Sequence, residues 1–247
     1  MAPMPPSHAR HVPARMEDRL IVALDVPTTA EARALVERLC GVVSFFKLGL
    51  WLAFAAGFDG LLADLLGRDA RVFLDTKMFD IGETVKQGVA RAAERGVSFV
   101  TVHGDRDIIT AAVDGKRGSE LKIFAIGALT SLDDGGLAEL GYNLGVGELI
   151  RRRVQLAADL GCDGIIASPS DNPDEMRRRA RAPHLLVATP GVRLEGTAAD
   201  DHKRAGTPAR AIAAGSDYLV VGRPIIRDPD PARMAARFIA EMRSAAT

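Results

Sequence analysis

Short, nearly continuous apolar runs recur along this chain from residue 19 onward, each separated from the next by a segment whose apolar residues keep helical spacing. The runs fall at 20–24, 42–48, 71–77, 98–103, 123–130, 164–168, 185–189 and 218–221. Runs without polar alternation suit strands buried on both faces, as in a parallel sheet covered by helices. Eight such strands, each followed by a helix, predict an α/β fold of the (β/α)8 TIM barrel type in a single domain. The rival is an open doubly wound sheet. Against it, the turn after the first run, Asp25-Val26-Pro27-Thr28, has no glycine-rich dinucleotide fingerprint.

The helical segments carry their own signals. Thr28 and Glu31 have capping-box spacing, Ala32, Leu35, Val36 and Leu39 form a stripe, and Gly41 stands where the helix should stop. The segment 50–66 is expected as two helical pieces broken around Gly57 and Gly60. Further helices are expected at 83–95, 149–160, 207–214 and 231–244. Residues 1–16, with four prolines and several basic residues but no apolar core, read as a disordered tail, with 17–247 as the catalytic barrel. Met16 is an alternative start to Met1 that the sequence leaves open.

With 47% hydrophobic residues the chain can bury a large core, and its 32 basic and 32 acidic side chains cancel. No bulk field draws it to nucleic acid or to an anionic membrane surface, so any anion site must be local. Cys40 and Cys162 lack metal-ligand spacing and read as small core fillers of a reduced, cytoplasmic protein.

Charge placement is the informative pattern. The first five runs end in Asp25, in Lys47, in Asp75 with Lys77, in His103, and in Thr130 with Ser131. In a barrel such ends gather at one mouth, where the chemistry is carried. Asp75 and Lys77, two apart on a strand, project to one face, and Asp80 lies three residues further on. A buried ion-pair network that only shapes the core is the competing account, but such networks seldom add net stability over apolar packing. Taken singly, Asp25 could cap a helix and His103 could be a satisfied core residue. A second signal comes late, where Thr189-Pro190-Gly191-Val192-Arg193 and Val221-Gly222-Arg223-Pro224-Ile225 close the seventh and eighth runs. The loops after these strands are where many barrels hold a phosphate, glycine admitting the anion to the backbone and arginine offering a forked donor set.

Together these residues resemble the orotidine 5'-phosphate decarboxylase family. Asp75-Thr76-Lys77-Met78-Phe79-Asp80-Ile81 resembles its D-x-K-x-x-D-I signature. Around it, in the family's order, stand Leu24-Asp25-Val26-Pro27, Phe46-Lys47-Leu48-Gly49, Thr101-Val102-His103-Gly104, Leu129-Thr130-Ser131 and the two late motifs. The resemblance implies conversion of orotidine monophosphate to UMP and CO2 without metal or cofactor. It implies Lys77 as proton donor, Asp75 beside the departing carboxylate, Lys47 as their orienting partner, and Asp80 supplied across a homodimer interface. It also implies substrate contacts from Asp25, Lys47, Ile81, Thr84, His103, Thr130, Ser131 and Pro190, and phosphate contacts from Arg193, His202, Gly222 and Arg223. The segment 194–206 is the candidate lid.

One departure stands out. In Asp201-His202-Lys203-Arg204 a histidine occupies the place of the glutamine expected in bacterial members, which implies a phosphate grip sensitive to pH near neutrality. Two other functions remain open at this point. A Mg2+-dependent sister, a 3-keto-L-gulonate 6-phosphate decarboxylase or hexulose-phosphate synthase, would carry a carboxylate where Lys47 stands. A non-catalytic nucleotide-binding protein would have a broken charge set.

Overall fold

The structure, a computed structural model, describes residues 10–129, 132–195 and 206–245. Eight parallel strands form a closed barrel in chain order: β1 (Leu20–Ala23), β2 (Phe45–Gly49), β3 (Arg71–Met78), β4 (Phe99–His103), β5 (Lys122–Ile126), β6 (Gly164–Ile166), β7 (Leu186–Pro190) and β8 (Tyr218–Val221). Closure comes from β8 pairing back onto β1, with Ile21 opposite Val220. One or two helices follow each strand. They are α1 (Thr29–Leu39), α2 (Leu50–Ala53) and α3 (Phe58–Gly67), α4 (Gly82–Glu94), α5 (Arg106–Gly115), α6 (Asp134–Glu139) and α7 (Val146–Asp159), α8 (Pro173–Ala180), α9 (Pro208–Ala213), and α10 (Arg223–Ile226) with α11 (Pro231–Ser244). The expected (β/α)8 barrel is therefore present.

Local signals explain the elements. Thr28 accepts a hydrogen bond from the Glu31 N–H, α1 buries Ala32, Leu35, Val36 and Leu39, and Gly41 turns the chain out at φ +77°. In α11, Asp230 caps the Arg233 N–H, Pro231 opens the first turn, and Ala235, Phe238, Ile239 and Met242 face inward. The break between α2 and α3 falls at Gly57, whose φ of +81° a side chain would resist. Gly60, expected to share that break, lies inside α3, where the alternation of apolar residues overrides its weak helix propensity.

Two cores result. The larger lies between barrel and helices, while the smaller fills the barrel interior with Ile21, Phe45, Phe73, Phe99, Phe124, Leu186, Ala188, Tyr218 and Val220. Its aromatic rings interlock, Phe45 with Phe99 at 4.9 Å and Phe99 with Phe124 at 4.6 Å between centroids. Such pairs add roughly 0.5–1.5 kcal/mol each beyond area burial and so stabilise the floor of the barrel. Because side chains alternate along a strand, the residues two positions after each floor aromatic face the mouth: Lys47 after Phe45, Asp75 after Phe73, and Thr101 after Phe99. The aromatic floor thus sets the height of the charged rim.

Residues 1–9 of the expected tail lie outside the described residues. Beyond them, Val12 packs against the inner floor, and a 3-10 turn, Met16–Arg19, leads into β1. Cys162 is buried, but Cys40, expected as core filler, is exposed because it follows the last turn of α1 and faces away from the barrel; both thiols are free. No helix among the described residues is long and apolar enough to cross a membrane.

Candidate active site at the barrel mouth

A cavity of about 240 Å3 opens at the C-terminal ends of the strands. Its charged side is a chain of alternating sign. Lys47 Nζ stands 3.1 Å from Asp25 Oδ1 and 3.2 Å from Asp75 Oδ2, and Lys77 Nζ lies 2.8 Å from Asp75 Oδ1. Lys47 and Asp75 are deeply set, their side chains 11% and 12% exposed, whereas Lys77 at 43% reaches into the open cavity. Of the two lysines, Lys77 is therefore the one that reaches toward an incoming ligand.

Electrostatics keep the buried pair Asp75 and Lys47 ionised. Burial pushes the Asp75 carboxyl up, but Lys47 and Lys77 outweigh it, with hydrogen bonds from Lys77 and Thr101, and hold it below the usual carboxylate range. Burial likewise works against the charge on Lys47, yet Asp75 and Asp25 raise its ammonium above the ordinary lysine value. Two buried charges of opposite sign that stabilise each other are costly to separate, so removing either one strands its partner.

The opposite wall carries Pro190, Gly191 and Arg193 from the end of β7, and Gly222 with Arg223 from the end of β8. Arg193 is buried, and one of its guanidinium nitrogens donates to the Val192 carbonyl at 2.9 Å. Gly222 has no side chain to fill the gap, and a Cβ there would come within 3.3 Å of Asp25 Oδ2. Between the two walls lie the apolar side chains of Ile126, Ala128, Leu129 and Ile166.

Of the residues expected from sequence, Asp25, Lys47, Asp75, Lys77, Pro190, Arg193, Gly222 and Arg223 line this one cavity. Four others do not line it. Asp80 and Ile81 are exposed just beyond β3, Asp80 accepting a 2.7 Å hydrogen bond from the Ile81 N–H. Thr84 is exposed on α4, and His103 packs its ring 4.6 Å from that of Phe79. Burial, then Arg153, with Lys77 adding, lower the His103 imidazolium below its ordinary value. Thr130, Ser131, His202 and residues 196–205 of the candidate lid lie outside the described residues.

Two contributors, Gly49 and Thr101, stand in the motifs around Lys47 and His103 but were given no role from sequence. Gly49 sits where a Cβ would approach Asp25 Oδ1 to 3.0 Å and Lys47 Nζ to 3.6 Å. Thr101 is fully buried and donates its hydroxyl to Asp75 Oδ1 at 2.8 Å. The period of two along β4, running through Phe99, Thr101 and His103, was the available signal. A larger hollow of about 430 Å3 lies between α1, α11 and the N-terminal turn, far from these residues. Its Arg15 and Arg243 are ion-paired with Glu17, and its Arg68 with Glu37, so it lacks the convergent functional groups of the mouth.

Comparison with known proteins agrees with the geometry. The family model described as "Orotidine 5'-phosphate decarboxylase / HUMPS family" matches residues 18–238. The orotidine 5'-phosphate decarboxylase of Afipia carboxidovorans is 46% identical over 230 residues, covering 93% of this chain and 97% of the relative. That of Rhodopseudomonas palustris is 45% identical over 228 residues, covering 92% and 95%. Among solved structures, orotidine 5'-phosphate decarboxylase from Lactobacillus acidophilus superimposes with a TM-score of 0.80 at 30% identity, over 91% of this chain and 99% of that one. An uncharacterized conserved protein from Geobacillus kaustophilus gives 0.77 at 31% identity, covering 90% and 99%. A match that runs through nearly the whole barrel, at nearly equal chain length, leaves one conclusion: the chain belongs to the orotidine 5'-phosphate decarboxylase / HUMPS family.

Proposed function

We infer that this protein is an orotidine 5'-phosphate decarboxylase, a carboxy-lyase that forms UMP and CO2 in pyrimidine biosynthesis. The observation that carries the reading is the chain Asp25–Lys47–Asp75–Lys77 facing two arginines across one cavity.

Breaking the C6–carboxylate bond leaves an electron pair in an sp2 orbital at C6 of the pyrimidine, with no carbonyl placed to delocalise it. A fixed ammonium is the chemical answer. Lys77 stabilises the developing carbanion and then transfers a proton from Nζ to C6, regaining one from solvent afterwards. Asp75 stands beside the departing carboxylate and holds Lys77 in place. Lys47, shared between two carboxylates, fixes both, and Asp25 takes a ribose hydroxyl. Arg193, Gly222 and Arg223 hold the phosphate, with His202 from the lid. Thr130 and Ser131 serve the pyrimidine beside the apolar wall. Binding energy from the remote dianion stabilises the closed form and is spent on the chemical step.

Asp80 completes the site from a second copy in a homodimer. Support comes from its exposure, from its lack of an ion pair with Lys47 or Lys77 in its own chain, and from its apolar surroundings. Trp51, Phe54, Phe79 and Ile81, exposed by 58%, 83%, 68% and 73%, flank the rim after β2 and β3 and suit burial against a like surface. His103, Ile81 and Thr84 belong to the same rim. Mixing inactive Lys77→Ala and Asp80→Asn proteins tests this, since hybrid dimers regain one intact site. No recovery after subunit exchange removes Asp80 from the partner's site. The location proposed is the cytoplasm, with no nucleic-acid or membrane partner.

The Mg2+-dependent sister reading is disfavoured by Lys47, because an ammonium at a metal-ligand position repels the ion. The deciding experiment follows the ultraviolet absorbance of orotidine monophosphate with EDTA present. Steady loss of substrate supports the decarboxylase. Turnover that needs Mg2+, or binding without turnover, overturns it.

A further inference from the structure

We propose that Thr101 is a positioning residue whose single hydroxyl clamps Asp75 and Lys77 into their working geometry. The proposal rests on the decarboxylase reading of the same cavity.

Strand β3 is irregular just where the chemistry sits. Leu74 pairs with Val100 and Met78 with Val102, so β3 advances four residues while β4 advances two. The surplus is absorbed as a bulge, and Lys77 takes φ +48°, a left-handed conformation that disfavours a residue with a side chain. A bulge leaves backbone groups off the ladder, and a buried N–H needs an acceptor. Here the Lys77 N–H donates to Thr101 Oγ1 at 2.9 Å. The hydroxyl has one proton to give, and it goes to Asp75 Oδ1 at 2.8 Å. Each contact therefore fixes the other: accepting from Lys77 orients the hydroxyl toward Asp75.

The result is that Asp75 Oδ1 receives both the Lys77 ammonium and the Thr101 hydroxyl, while Oδ2 receives Lys47. The two lysines have long, mobile side chains; Thr101 is fully buried on β4 and has almost no freedom. It is the rigid member of the set. By tying the bulged backbone of Lys77 and the carboxylate of Asp75 to one atom of the neighbouring strand, it fixes the direction in which the Lys77 ammonium enters the cavity. Thr101 does not line that cavity, so it acts through the pair.

Two substitutions separate hydroxyl from shape. Thr101→Val keeps the branched shape and removes the hydroxyl; Thr101→Ser keeps the hydroxyl and removes the methyl. The expected outcome is a loss in kcat of about 10- to 100-fold for Thr101→Val with KM changed less than about threefold, the scale of a lost charge-assisted hydrogen bond. Thr101→Ser should stay within about threefold of wild type in kcat. Hydrogen exchange at the Lys77 amide should speed up in the valine variant and not in the serine variant. Wild-type kcat in Thr101→Val, or equal losses in both variants, overturns the proposal. If Thr101→Val does not fold, Thr101→Ala against Thr101→Ser puts the same question, because both lack the γ-methyl. If the wild-type protein fails to decarboxylate orotidine monophosphate, the functional reading falls, and the exchange measurement still decides whether the clamp exists.

Discussion

Lys77 and Asp75 meet at 2.8 Å on a stretch of strand that is not regular: Lys77 is left-handed at φ +48° within a bulge of β3. A flat strand would lift both side chains side by side. The bulge adds curvature, and it lets the ammonium turn back onto the carboxylate while staying open to the cavity. Strained backbone persists only when its surroundings over-determine it, and Thr101, Asp75 and Lys47 do so at Lys77.

The first prediction concerns that ammonium. Lys77→Ala should lower kcat by roughly 10^4-fold or more, since it removes the group proposed as both electrostatic stabiliser and acid. Circular dichroism should be unchanged, because the Lys77 side chain is 43% exposed and Asp75 keeps Lys47 as its partner. Turnover near wild type would exclude Lys77 as proton donor.

Gly49→Ala probes the space beside Asp25. The Gly49 backbone, at φ −82°, accepts alanine readily, so the effect must come from the new Cβ 3.0 Å from Asp25 Oδ1. Displacing that carboxylate from a ribose hydroxyl should raise KM about tenfold with kcat nearly kept. An unaltered KM would mean that Asp25 moves aside without cost.

Arg223→Ala tests the phosphate wall. It should reduce kcat/KM on the nucleotide about 10- to 100-fold, and leave the far slower reaction of the phosphate-free nucleoside unaffected. Equal losses on both substrates would assign Arg223 a role unrelated to the phosphate.

Thiol labelling discriminates the cysteines. Burial pushes the Cys162 thiol up to about 12, whereas Cys40 is exposed. A thiol reagent should modify Cys40 alone in the native protein and both cysteines in denaturant. Rapid native labelling of Cys162 would show that the β5–β6 side of the barrel opens.

His103 predicts a pH dependence of stability. Its folded value is lowered from 6.5 by burial and by Arg153, so the unfolded chain binds the proton first as pH falls. Its contribution is complete above the unfolded value and is lost as pH drops through 6.5 toward the folded one. Between about pH 7.5 and 5.5 the denaturation midpoint of wild type should fall more steeply than that of His103→Gln. Parallel curves would place His103 in an environment indifferent to its charge.

Much of this architecture was legible in the chain. Unbroken apolar runs such as 218–221 require a strand covered on both faces, and the Thr28 cap, the Gly41 stop and the stripe of α11 mark helices by local rules. The alternation that joins Phe45 to Lys47 and Phe73 to Asp75 likewise needs only the period of a strand, so the charged rim followed from sequence. Tertiary structure decided what depends on neighbours remote in the chain. The bulge of β3 exists only relative to the register of β4, and the second role of Thr101 only because the Lys77 N–H has left the ladder. Gly49 matters only because β1 brings Asp25 against it, and His103 turns to Phe79 rather than into the cavity. Periodicity is a property of one segment, whereas register, close approach and desolvation belong to pairs of segments, and those are set when the barrel closes.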